Sequence, residues 1–267
     1  MHQKTYHYAM ESLNRNKDLN GPFAGVPMLM KDMDSALYSV PMMQGSNYLK
    51  NIPMKFNNSL SKKFTNSGTL ICGKSATPEF GLMITTEPKA FKPTRNPWDT
   101  ERSTGGSSGG AAAAVSSGML PLADGTDMMG SVRNPAAYCN LYGFRPTPGL
   151  IPEERSKTRH KKLPILSTLG ALAKTPEDLA YFLDIVSGSH ICDPFSFDLD
   201  CSFDDEYLSD EKMHARKIAW LNDLGGYYQV EEEILEQCKK TLFSLGQNKV
   251  IVEEIELSLI HISEPTR

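Results

Sequence analysis

Two serines, Ser107 and Ser131, stand 24 positions apart in one glycine-rich block, and no other stretch restricts the fold as much. The block reads Thr104-Gly-Gly-Ser-Ser-Gly-Gly-Ala-Ala-Ala-Ala-Val115 and resumes at Asp127-Met-Met-Gly-Ser-Val-Arg133. A serine between glycines can be approached closely by a substrate carbonyl, with backbone N–H groups left to meet a developing oxyanion. A flexible linker would share the glycine-serine composition. Here, however, the run passes straight into alanine-rich helical sequence, and Asn134-Pro-Ala-Ala-Tyr-Cys139 and Gly143-Phe-Arg-Pro-Thr147 follow. That pattern specifies a folded site.

Composition narrows the function classes. With 267 residues, 40% hydrophobic and 22% charged, the chain has ordinary globular makeup and length for one large domain or two small ones. A net charge of −4 without a basic stripe gives no reason to expect nucleic acid. No uninterrupted apolar run reaches membrane-spanning length. The five cysteines are widely spaced without a C-x-x-C, which points to reduced thiols. The six histidines show no H-x-x-x-H or H-E-x-x-H spacing, so neither a metal nor another cofactor is expected. No signal peptide is visible at Met1-His-Gln-Lys-Thr-Tyr, and the expected setting is cytoplasmic.

Both ends read as interrupted. Ala9 to Leu13 resembles the end of a helix. The string from Leu257 to Arg267 resembles the translation of a sequencing-adapter read-through. The expected domain is therefore partial, spanning 1–256, with a foreign tail at 257–267.

Alternating strand and helix patterns run along the chain. Gly25 to Asp32 reads as a short buried strand, Phe56 to Ser67 as a helix closed by Gly68, and Thr69 to Gly73 as a strand. Pro78 to Thr104 is a long irregular stretch of the kind that is functional or wraps a surface. Gly109 to Ser117 reads as a helix and Leu120 to Ala123 as a short strand, with Ser131 in the loop beyond. Thr175 to Val186 is a helix with Thr175 as N-cap, Pro176 at the first helical position and Asp178 in the capping-box place. Lys217 to Leu221 is a strand, Val230 to Leu245 an amphipathic helix, and Lys249 to Ile255 a last strand. This order predicts an α/β fold with a mixed β-sheet flanked by helices.

Two chemistries compete for the serines. Gly105-Gly-Ser-Ser-Gly109 fits G-x-S-x-G, the nucleophile elbow, which would make Ser107 the nucleophile with His160, His190 or His214 as partner. An elbow follows directly on a buried strand, and Trp98-Asp-Thr-Glu-Arg-Ser-Thr104 is not one. The alternative needs no histidine. Lys31 ends a buried segment, and a lysine neutralised by burial can act as a base on a serine.

At this point the chain resembles the amidase signature family of serine hydrolases. The resemblance runs from about Gly21 to Glu256. It is carried by Gly73-Lys, Thr77-Pro-Glu-Phe-Gly81, Thr85-Thr-Glu-Pro88, Pro93-Thr-Arg-Asn-Pro-Trp-Asp99 and the block from Gly105 to Pro146. It implies a Ser-Ser-Lys triad: Ser131 as acyl-enzyme nucleophile, Ser107 as bridging serine after a cis peptide bond, and Lys31 as base. It further implies an oxyanion hole from the backbone N–H groups of Met128, Met129, Gly130 and Ser131. Gly106, Ser108, Asp127 and Arg133 are implied as site-supporting residues, the last two as a structural ion pair.

The sequence departs from the family in three respects. Met129-Gly130 stands where many relatives have two glycines, and Gly170-Ala-Leu-Ala-Lys174 replaces a Gly-Pro-Met-Ala-Arg-like segment. Relatives are also usually much longer. The implied activity is hydrolysis of a small-molecule amide, nearest in look to 6-aminohexanoate-cyclic-dimer hydrolases. The glutaminase component of a tRNA-dependent amidotransferase is the alternative, disfavoured by Thr77-Pro-Glu-Phe80, where that component typically carries Met-Asp-Glu-Phe. A catalytically silent fragment is the alternative of another class.

Overall fold

A computed structural model describes residues 20–154, 166–204, 217–244 and 251–255. The chain divides into two compact units, Met1–Glu206 and Tyr207–Arg267, within the stretch read from sequence as one partial domain. Ala9 to Leu13, His160, His214 and the 257–267 tail lie outside the described residues.

The first unit opens with β1, Pro27–Lys31, which pairs in parallel with β2, Leu70–Ser75. Between them lies α1, Ser59–Asn66, shorter than expected because Asn58 caps it: the Asn58 side chain accepts from Ser61 N at 3.2 Å. Parallel strands need such a crossover. The stretch from Pro78 to Thr104 stays irregular apart from one 3₁₀ turn at Glu79–Gly81. It is anchored by side chains. Asn96 Nδ2 donates to the carbonyls of Tyr138 (2.8 Å) and Ser103 (3.2 Å), and Trp98 Nε1 donates to the Cys139 carbonyl (2.9 Å).

Helix α2, Gly109–Ser116, is alanine-rich and buries Ala111, Ala112, Ala114 and Val115, so small side chains let it sit close to the sheet. Next come β3, Leu122–Asp127, a short α3, Arg133–Tyr138, and β4, Tyr142–Phe144. Strand β5, Thr168–Ala173, is antiparallel to both β3 and β4 and lies between them. Helix α4, Pro176–Val186, is capped as the sequence implies, with Thr175 Oγ1 accepting from Asp178 N at 3.2 Å. Its apolar face meets α1, where the Phe64 and Phe182 rings lie 5.7 Å apart at a tilt of 43°.

The second unit pairs β6, Lys217–Trp220, in parallel with β7, Ile251–Glu254, and carries α5, Glu232–Ser244. Lys239 of α5 pairs with Glu254 of β7. None of its described residues is buried.

The α/β class holds, with helices flanking the sheets. Three differences from the sequence reading concern position. Strand β3 starts two residues later than expected and continues through Asp124-Gly-Thr-Asp127, fully buried throughout. Helix α3 and strands β4 and β5 have no counterpart in the sequence pattern. Among the described residues the strands form a parallel pair, an antiparallel triplet and a second parallel pair instead of one ladder. No helix among the described residues is long and apolar enough to cross a membrane.

Candidate active site

Strand β1 delivers Lys31 as its last residue, and β3 receives it. Successive residues of a strand face opposite sides, so Asp124 and Thr126 share one face of β3, and Gly125 and Asp127 the other. The first face holds Lys31. Asp124 Oδ1 accepts from Lys31 N at 2.6 Å, and Lys31 Nζ donates to Thr126 Oγ1 at 2.8 Å and to the Thr126 carbonyl at 3.2 Å. The second face holds the serine loops. Asp127 binds the turn that carries Ser131, and a Cβ at Gly125 would fall 2.7 Å from Val132 Cγ2 and 2.9 Å from Ser108 Oγ.

Lys31 Nζ also donates to Ser107 Oγ at 2.8 Å. Lys31 is 0% exposed and Ser107 2%. Burial pushes the Lys31 amine down from 10.5 to about 8, against the charges of Asp34, Asp124 and Asp127, which favour the cation. At pH 7 about a tenth of such amines are neutral, against roughly a few in ten thousand for an ordinary lysine.

The Gly106–Ser107 peptide bond is cis. Glycine is needed here for close approach. A Cβ at Gly106 would meet the Ile84 carbonyl carbon and Thr85 N at 2.9 Å, and one at Gly110 would meet Ala76 N at 2.3 Å. Thr86 ties the block down, its Oγ1 donating to the Gly105 carbonyl at 2.9 Å and accepting from Gly109 N at 3.2 Å.

Ser131 is partly buried, and its carbonyl accepts from Ser108 N at 3.1 Å. The backbone of the second serine thus sits against the residue following the first. Ser108 is buried, and its Oγ has no hydrogen-bond partner among the described residues. Its contact with Ser131 runs through the backbone N–H.

Asp127 organises the loop. Its Oδ1 accepts from Gly130 N (2.8 Å) and Arg133 Nη2 (2.9 Å), and its Oδ2 from Val132 N (3.1 Å), Arg133 N (3.3 Å) and Arg133 Nε (3.0 Å). Burial works to raise its carboxyl, but the Arg133 guanidinium and the three backbone N–H groups outweigh it and hold the value at about 2. The expected Asp127–Arg133 pair is present at 2.9 Å. Arg145 Nε adds a second cation 3.7 Å from Asp127 Oδ1.

The Gly130 N–H, assigned to the oxyanion hole from the sequence, is donated to Asp127. The carboxylate three residues upstream accepts it in a local side-chain-to-backbone hydrogen bond that closes the loop. Met128 and Met129 are both exposed, Met129 at 80%.

Sequence reasoning missed Asp124, Thr126, Thr86 and Arg145. A signal for the first two was available: two polar side chains at alternate positions, seven and five residues before the second serine, where a strand face would present both. Among the described residues no group of three or more His, Cys, Asp or Glu lies close enough to hold a metal.

A family model for amidases matches residues 1–265. The chain belongs to the amidase family. It is 34% identical over 268 residues to the A component of the glutamyl-tRNA(Gln) amidotransferase of Thermotoga maritima, covering 99% of this chain and 54% of that protein. It is 39% identical over 192 residues to the 6-aminohexanoate-cyclic-dimer hydrolase of Paenarthrobacter ureafaciens, covering 69% and 38%. A solved structure of 6-aminohexanoate cyclic dimer hydrolase complexed with substrate superimposes with a TM-score of 0.86 at 28% identity, covering 93% of this chain and 52% of that one. This amidase-family chain thus spans about half the length, or less, of the relatives it matches.

Proposed function

We propose that the chain hydrolyses a carboxylic amide through an acyl-enzyme on Ser131, with Lys31 and Ser107 as its proton relay. The observation that carries this reading is the 2.8 Å contact between a fully buried lysine amine and the Ser107 hydroxyl. A neutral amine has two N–H donors and one lone pair. In the ammonium form Lys31 donates to Ser107 as well as to the two Thr126 acceptors at 2.8 and 3.2 Å; once Lys31 is neutral, its two N–H groups serve Thr126 and the Ser107 contact reverses, the hydroxyl donating to the lone pair.

The chemistry then balances. Lys31 Nζ takes the Ser107 proton as Ser107 Oγ takes the proton of Ser131. Ser131 Oγ bonds to the amide carbonyl carbon, and the negative charge moves to the carbonyl oxygen. The N–H groups of Met128, Met129 and Ser131 are the proposed donors to that oxygen. Collapse breaks the C–N bond, and the relay returns the proton to the leaving amine. Water repeats the sequence and releases the acid.

A small-molecule amide substrate and a cytoplasmic setting belong to the same proposal. All five cysteines are free thiols, which suits a reducing compartment. A second reading, glutamine hydrolysis feeding an amidotransferase, is favoured by the 34% identity to the Thermotoga amidotransferase component across 99% of this chain. Thr77-Pro-Glu-Phe80 keeps it second. Incubation with a fluorophosphonate probe tests the proposal: mass shift at Ser131, lost in Ser131→Ala, supports it, and an unlabelled Ser131 contradicts it. Ammonia transfer from glutamine only with partner proteins present would reverse the ranking.

A further inference from the structure

The role of Asp124 follows from the seam between β1 and β3. These strands belong to different sheets. The Lys31 N–H is donated across the seam to Asp124 Oδ1 at 2.6 Å. The other oxygen, Oδ2, accepts from Ser35 Oγ at 2.6 Å, in the segment that follows β1. One carboxylate thus grips the chain on both sides of the turn that follows Lys31. Burial works to raise the Asp124 carboxyl, and the Ser35 hydroxyl, the Lys31 N–H and the charges of Lys74 and Lys31 oppose the rise.

Thr126, two residues on and on the same face of β3, takes the far end of the same lysine. The lysine is held at its backbone by one side chain and at its amine by the next on that face. Asp124 is fully buried, and its carboxylate is spent on an N–H and a hydroxyl. A whole buried ion pair is often replaceable by apolar side chains at no cost in stability, but removing one member of a buried set leaves its partners unpaired. A buried charge that fixes the backbone of a base is not replaceable in function.

We propose that Asp124 is a positioning residue for Lys31, a strap that sets where the amine stands relative to Ser107. The inference rests on the proposed relay. Asp34 from the turn after β1 and Asp127 of β3 are the other charges that act on Lys31, beside the hydroxyl and carbonyl of Thr126; Lys74 of β2 acts on Asp124, and Asp32 acts on Lys74; α2, which also packs on β1, contributes only glycine, alanine, valine and serine.

Two variants of the full chain and two readouts test the strap. In Asp124→Ala the Lys31 amide loses its acceptor, and its hydrogen exchange, read by NMR, accelerates at least about tenfold over wild type. Ser131 labelling by the fluorophosphonate falls by about 10²-fold, the cost of roughly 1 Å of misplacement. In Asp124→Asn the amide oxygen still accepts, so the Lys31 amide stays protected and labelling is intermediate. The pH midpoint of that labelling moves lower, because a negative charge that favoured the ammonium is gone. A residue that supported the fold away from Lys31 would not move that midpoint, and the Lys31 exchange rate separates positioning from charge alone. Unchanged Lys31 exchange in Asp124→Ala overturns the proposal. So does an Asp124→Asn protein that labels as poorly as Asp124→Ala with the wild-type midpoint. Wild-type protein that takes no probe at Ser131 overturns the hydrolase reading alone, and the exchange comparison still decides the strap.

Discussion

Two lysines on neighbouring strands have different surroundings. Lys31 of β1 is fully buried, and its amine meets two hydroxyls and one carbonyl. Lys74 of β2 is partly buried, and its amine donates to the Ser35 carbonyl beside the charge of Asp32. Burial lowers both, but only Lys31 faces groups able to hand a proton onward. Asp32, which faces Lys74, is itself lifted by burial to about 6, with the Lys74 charge and the Met43 N–H opposing the rise. In one region a lysine stands beside a buried acid, and in the other a lysine amine contacts two hydroxyls, one of them the proposed relay serine. Burial of a lysine is therefore a weak mark of catalysis; what its amine touches is the stronger one.

Substitutions can break that contrast. The largest effect is expected for Ser107→Ala, which removes the hydroxyl that the Lys31 amine contacts. Labelling of Ser131 should fall by about 10²–10⁴-fold, and wild-type rates would show that Ser107 carries no proton. Next comes Asp127→Ala, which frees three backbone N–H groups and leaves Arg133 and Arg145 without their carboxylate. Denaturant unfolding should register a loss of about 2–3 kcal/mol. Because the folded carboxyl is held near 2, below its ordinary 3.8, this contribution is present above about pH 4 and fades as the pH falls toward 2. The variant should lack that acid-side decline, and an identical decline would assign it elsewhere. The smallest effect is expected for Lys74→Met. It leaves Asp32 and the Ser35 carbonyl without their partner and costs about 1–3 kcal/mol of stability, while labelling changes by less than about tenfold. A loss matching Ser107→Ala would make the two lysines equivalent and erase the comparison.

Much of this arrangement was legible in the residues. The glycine-serine block announced itself by spacing, and Lys31 stood at the end of an apolar run. Thr175 and Pro176 marked the start of α4 because capping and the missing proline N–H are local physics. What escaped notice is non-local. Strand β5 is glycine and alanine at its centre, residues with weak strand preference that only partners on both sides stabilise. The polar half of β3 reads as a loop until Lys31, the serine turn and β5 are seen to satisfy it. Asp124 belongs to that half, as does the engagement of the Gly130 N–H. Both depend on which groups tertiary packing brings within hydrogen-bond reach, and a spacing rule does not contain that.

In the proposed relay a neutral Lys31 amine deprotonates Ser131 by way of Ser107. The most direct measurement is the rate of fluorophosphonate labelling at Ser131 against pH, in wild type and in Lys31→Met. The neutral amine is the base, so wild-type labelling should rise with pH through a midpoint near 8, and the variant should label at least about 10²-fold more slowly without that midpoint. Wild-type labelling flat across pH 8, or a variant as reactive as wild type, would contradict the account.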